Sequence, residues 1–136
     1  MPWMPTDLPL PLNPEFTLPD GVFIVGELDG SAVACGGIRR LPAAHVRFEA
    51  KDVWVDAAIR GRGLGRALMR ELERLAISLD ADEIVLDTHE VLEAAVKMYV
   101  ALGYESVPPY NDSPFPTHWF AKKFSGHSRR EARAPA

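Results

Sequence analysis

Arg60-Gly61-Arg62-Gly63-Leu64-Gly65-Arg66 lies between an apolar run, Val53-Trp54-Val55, and an amphipathic run that begins at Leu64. Glycine has no Cβ, so these positions allow a sharp turn and close approach of a ligand to backbone N–H groups. The run that follows reads as a helix. A helix start leaves about four N–H groups without internal partners and carries partial positive charge. Strand, glycine loop and helix N-terminus together make a site for a phosphate-bearing ligand. The arginines add charge-assisted hydrogen bonds.

Spacing narrows the kind of ligand. A nucleoside-triphosphate loop ends in Lys-Ser or Lys-Thr, and neither follows these glycines. A dinucleotide loop needs a third glycine where Arg66 stands. The pattern that fits is R-x-x-G-x-G, from Arg60 to Gly65. Alone, six residues also suit a plain solvated connection, so the flanking segments decide.

Downstream, Leu64, Leu68, Leu72, Leu75 and Leu79 recur at three- and four-residue intervals and predict one apolar helix stripe. Glu83-Ile84-Val85-Leu86-Asp87 reads as a buried strand, giving a strand–helix–strand unit with parallel strands. A second helix is expected over roughly 91–102, capped by Gly103. Strands follow at 104–107 and 117–124, separated by the proline-rich loop 108–116. Upstream, strands are expected at 22–28 and 32–38, joined by the Asp29-Gly30 turn, with a third between 45 and 56. The order is βββ-α-β-α-ββ, a mixed α/β fold.

In this order and spacing the chain resembles the GNAT superfamily of acetyl-CoA-dependent N-acetyltransferases. Besides the glycine loop, Glu49-Ala50-Lys51-Asp52-Val53-Trp54-Val55 resembles the family's fourth strand. Ala95-Val96-Lys97-Met98-Tyr99 and Leu102-Gly103-Tyr104 resemble its A-x-x-x-Y … L-G-[FY] segment. The resemblance covers about residues 21–124. It implies a GNAT-like, mostly antiparallel twisted sheet around a central β-α-β acyl-CoA-binding unit. It implies acetyl-CoA as co-substrate, with its pyrophosphate on Arg60, Gly61, Arg62, Gly63, Leu64, Gly65 and Arg66. The pantetheine arm would lie between two splayed strands, pairing with backbone groups of Trp54 and Val55. By the same resemblance Glu49 is the base that takes the amine proton, and Tyr99 donates to the departing thiolate. The expected reaction is acetyl transfer to a primary amine of a small molecule or protein, by direct attack in a ternary complex.

The chain departs from the family in two places. Residues 1–20, with six of the twelve prolines, stand where a strand and two helices usually build one acceptor wall, and are expected to be extended rather than helical. Leu92 stands where asparagine is common near the coenzyme. These departures leave an alternative, a non-catalytic acyl-CoA-binding or regulatory module, and make a homodimer attractive.

Composition sets outer limits. With 136 residues, 47% hydrophobic and 25% charged, the chain suits one globular domain over 21–124 with a disordered tail from 125. A net charge of −4 argues against nucleic acid, and no apolar run is long enough for a membrane span. A single cysteine, Cys35, suits the cytoplasm and reads as a buried structural thiol. The four histidines have no metal-site spacing, so no metal is expected.

Overall fold

A computed structural model describes residues 14–124. The expectations for residues 1–13 and for the tail from Ser125 lie outside them. Six strands form one sheet: β1 (Gly21–Leu28), β2 (Ser31–Leu41), β3 (Arg47–Val55), β4 (Glu83–Thr88), β5 (Glu105–Ser106) and β6 (His118–Lys123). Their order across the sheet is β1-β2-β3-β4-β6-β5. Every neighbouring pair is antiparallel except β3 and β4, which run parallel. That pair is joined by α1 (Leu64–Ser78), and α2 (Glu93–Ala101) follows β4.

Strand alternation sorts the sheet into two faces. Ile38, Phe48, Ala50, Ile84, Leu86 and Phe120 form one buried cluster with Met69, Leu72 and Ala76 of α1, Tyr99 of α2 and Leu102 at the C-cap of α2. On α1 the buried residues are Leu68, Met69, Leu72, Glu73 and Ala76, with Leu75 and the C-cap Leu79 packed against the cluster. Glu73 is buried at its edge and is satisfied there: it accepts from the Tyr104 hydroxyl at 2.8 Å and from Lys122 Nζ at 3.0 Å. The opposite face carries Arg39, Glu49, Val85 and Ala121, which follow one another across neighbouring strands.

Regular alternation would set Asp52 opposite Glu49, but β3 is bulged between them and its end. Cys35 pairs with Trp54 while Gly37 pairs with Lys51, so Gly36 alone faces both Asp52 and Val53. Asp52 absorbs the extra residue with φ of 56°. The buried Cys35 thiol donates to its carbonyl at 3.5 Å. A bulge bends its strand. Beyond it Val53 and Val55 turn toward the helices, next to Gly36 and Gly65 respectively.

The N-terminal segment also differs from expectation. Pro14–Phe16 makes a 3-10 turn rather than extended chain. Phe16 is buried, meeting Phe23 edge-to-face at 5.4 Å. A Cβ on Gly37 would come within 2.6 Å of the Phe16 ring, so the absence of a side chain there makes the seat. Phe16 thus packs onto the sheet, while Glu15 and residues 17–20 are exposed.

Candidate acyl-transfer site

The β3–β4 ladder is short. Arg47, Phe48 and Glu49 pair with Glu83, Ile84 and Val85, and the ladder stops there while both strands continue. The strands part as a fork with Glu49 at its vertex. A cleft of about 980 Å³ fills the opening. Lys51 to Val55 line one limb, Leu86 to Thr88 the other, and Tyr99 with Met98 lie toward the α2 side.

At the mouth stands the glycine loop. Asp56 starts it, accepting from Ala58 N at 3.0 Å, and the Asp56 N–H is fixed to Val33 O at 2.8 Å. Arg60 Nε donates to Val55 O at 3.3 Å and holds the loop against the end of β3. Gly61 and Gly63 have φ of 86° and 77°, a region costly for any residue with a Cβ. Gly63 is the N-cap of α1 and offers no side chain to cap it. The first helical bond runs from Ala67 N to Gly63 O, so the N–H groups of Leu64, Gly65 and Arg66 precede the helical ladder. No acidic residue occupies the first turn to offset its positive end. Gly65 permits close packing of the two helices: a Cβ there would lie 2.9 Å from the Met98 sulfur.

Arg60, Gly61, Gly63, Leu64, Gly65 and Arg66 all line the cleft, as do Trp54 and Val55. Arg62 is exposed and is not among the lining residues. Leu92, at the N-cap of α2, makes no side-chain capping bond and lines the cleft. His89 is exposed, its Nδ1 accepting from Val91 N.

Tyr99 lies at the inner wall. Burial pushes its phenol up to about 12, and the ring is held between Tyr104 and Phe120 at 5.8 and 6.2 Å. Glu49 is not brought to Tyr99. It faces the other side of the sheet, with 1% of its surface exposed. Arg39 Nε donates to its Oε1 at 2.9 Å, with a second guanidinium nitrogen at 2.8 Å, and the Tyr110 hydroxyl donates to Oε2 at 2.5 Å. Arg39 also binds Glu15 at 2.5 Å.

Two residues of this cluster escape a reading of the sequence. Arg39 is one cation at an expected strand end, and Tyr110 one aromatic in a proline-rich loop. Only the register Arg39 opposite Glu49 brings the first into place. The second reaches Glu49 across 61 positions of chain, and no local pattern marks it.

The chain has matches among known proteins. The sequence profile described as the acetyltransferase (GNAT) family matches residues 1–104. The chain belongs to the GNAT family. Among GNAT relatives, the N-alpha-acetyltransferase RimI of Mycobacterium tuberculosis is 30% identical over 107 residues, covering 78% of this chain. The chain spans 63% of RimI's own length. A GNAT acetyltransferase structure from Staphylococcus aureus superposes with a TM-score of 0.69 at 18% identity, over 76% of this chain and 68% of the other. A GNAT acetyltransferase from Elizabethkingia anophelis with acetyl-CoA bound gives 0.64 at 12% identity, over 77% of each chain. At these identities the structures speak for the GNAT fold, a mixed α/β sheet of mostly antiparallel strands. Among the described residues no helix is long and apolar enough to cross a membrane.

Proposed function

We propose that the chain transfers an acetyl group from acetyl-CoA to a primary amine of a small molecule or protein. The observation that carries this reading is the junction of the uncapped N-terminus of α1 with the open fork between β3 and β4. The loop suits a pyrophosphate: N–H groups point out of a helix start, Arg60 and Arg66 supply charge, and the cleft leads inward from there. The ladder between β3 and β4 ends at Glu49. A pantetheine arm lying there would add as a strand beside Trp54 and Val55. The acetyl-CoA held by the structural relative from Elizabethkingia supports the same ligand.

An ammonium is not a nucleophile, so the acceptor must lose a proton before its lone pair attacks the thioester carbon. Glu49 at the fork vertex is the proton acceptor in this reading. Tyr99, kept as a phenol by its burial, donates a hydrogen bond to the thiolate as the C–S bond breaks. Its raised pKa makes it a stabiliser of the leaving sulfur rather than a ready source of a free proton. Isothermal titration with acetyl-CoA, against NADH and ATP, tests the site. An acetylation screen over polyamines, aminoglycosides, amino acids and peptides then tests transfer. Selective acetyl-CoA binding and at least one acetylated amine are expected. Equal binding of ATP or NADH would sink the loop assignment, and binding without transfer would leave an acyl-CoA-binding module.

A further inference from the structure

We propose that Tyr110 is a proton relay on the acceptor side: its hydroxyl takes a proton from the acceptor ammonium as it passes its own to Glu49. The inference rests on the acetyl-transfer reading above and names a catalytic residue within it.

Glu49 is enclosed. Arg39 lies on Oε1 and the Tyr110 hydroxyl on Oε2, and with 1% of Glu49 exposed these two groups are what an acceptor nitrogen meets first on the way to the carboxylate. A guanidinium has donors and no acceptor, and cannot receive the proton. A phenol oxygen can donate and accept at once. Tyr110 is half-buried where Glu49 is fully buried, which makes it the outer member of the pair.

The loop that carries Tyr110 is fastened across the fork. Tyr110 binds Glu49 on β3, and the next residue, Asn111, donates to Asp87 Oδ2 on β4 at 2.7 Å. Asn111 Oδ1 accepts from Trp119 Nε1 at 3.0 Å, which fixes the amide. Consecutive residues thus tie one loop to both limbs at the place where the strands part. The hydroxyl is held against Glu49 at the vertex of the fork, half-buried on the face that Glu49 occupies.

Charge permits the transfer. Arg39 is shared between Glu15 and Glu49, so a proton on Glu49 leaves the Arg39–Glu15 pair intact. The other charges facing Tyr110 are Arg47, whose guanidinium lies 5.6 Å from its ring centroid, and Asp87. Burial and the bond to Glu49 push the Tyr110 phenol well above its ordinary range. A free phenolate is therefore disfavoured, and the two transfers are concerted. One N–H bond of the ammonium breaks and its proton goes to Tyr110 Oη. The original Tyr110 proton goes to Glu49 Oε2. The phenol is unchanged, the carboxylate becomes a carboxylic acid, and the nitrogen lone pair is freed for attack.

The test compares the unsubstituted protein, Tyr110→Phe, Glu49→Gln and the double variant, using an amine found in the acetylation screen. Tyr110→Phe is expected to lower kcat at least ~10-fold with acetyl-CoA affinity held within about twofold. The acidic limb of the kcat/KM profile should be lost in both single variants, and the double variant should be no slower than the slower single one. Tyr110→Phe matching the unsubstituted protein in rate and pH profile, or strictly additive effects, overturns the relay alone. If acetyl-CoA binds and no amine is acetylated, the relay and the transfer reading fall together. Should Tyr110→Phe fail to fold, single-turnover rates of the unsubstituted protein in mixed H2O and D2O decide. A curved dependence on deuterium fraction is expected for two protons in flight, and a linear one overturns the relay.

Discussion

Glu49 on β3 and Val85 on β4 are the last partners of a three-residue parallel ladder, and the sheet opens directly after them. A buried carboxylate therefore marks the vertex of the fork. One side of that vertex faces the cleft of the glycine loop, and the other the polar cluster under Tyr110.

Gly63 takes φ of 77°, and a Cβ added there would meet nothing within 4 Å. Space is free, so the cost of Gly63→Val is backbone strain, on the order of 1–2 kcal/mol. The new side chain would also stand before the N–H groups of α1. Acetyl-CoA binding is expected to vanish in calorimetry while the thermal melt falls only modestly. Undiminished binding would contradict the loop assignment.

Arg39→Met removes a cation from a carboxylate that stays buried. Leaving one partner of a buried pair typically costs about 3–5 kcal/mol, and the partial exposure of Arg39 places this case toward the lower end. Urea unfolding measures it. A change below about 1 kcal/mol would mean that Glu49 gains solvent or another partner on substitution.

Tyr99→Phe keeps the ring and removes the hydroxyl. If Tyr99 serves the leaving thiolate, kcat should fall roughly 100-fold with acetyl-CoA affinity unchanged. Its phenol, raised by burial to about 12, stays protonated across the neutral range, so no rate loss near pH 10 should trace to it. The stability sign is set by the same shift. The neutral phenol is favoured by folding, and the contribution is complete below the ordinary value near 10. It is lost as pH rises through about 12. Tyr99→Phe should flatten that alkaline loss in pH-dependent unfolding.

Cys35 is fully buried, and burial with Asp52 nearby raises its thiol to about 11. Little thiolate exists at neutral pH, and a reagent has no access. Thiol titration should give no fast reaction in the native protein and one thiol in denaturant. Rapid native labelling would show that β2 opens locally.

Much of the fold is legible along the chain. The leucine repeat marks α1 because its helical period runs along the side that carries the buried Leu68 and Leu72. The loop from Arg60 to Arg66 reads as an anion site because glycine and a helix start are local features. The Asp52 bulge is not legible: nothing in the residue type marks one position of φ 56° within a strand. It also breaks the alternation by which Asp52 would be assigned a face.

Read alone, the chain is enough for the order of elements, the glycine-loop helix start and the family resemblance, since each rests on patterns among near neighbours. Where the strands part and what encloses Glu49 are set by three-dimensional packing instead. Arg39 arrives by strand register, Glu15 by the seat of Phe16 on Gly37, and Tyr110 by a loop tied to both limbs of the fork. Such long-range meetings depend on how the whole sheet closes on its helices, and no local propensity encodes them.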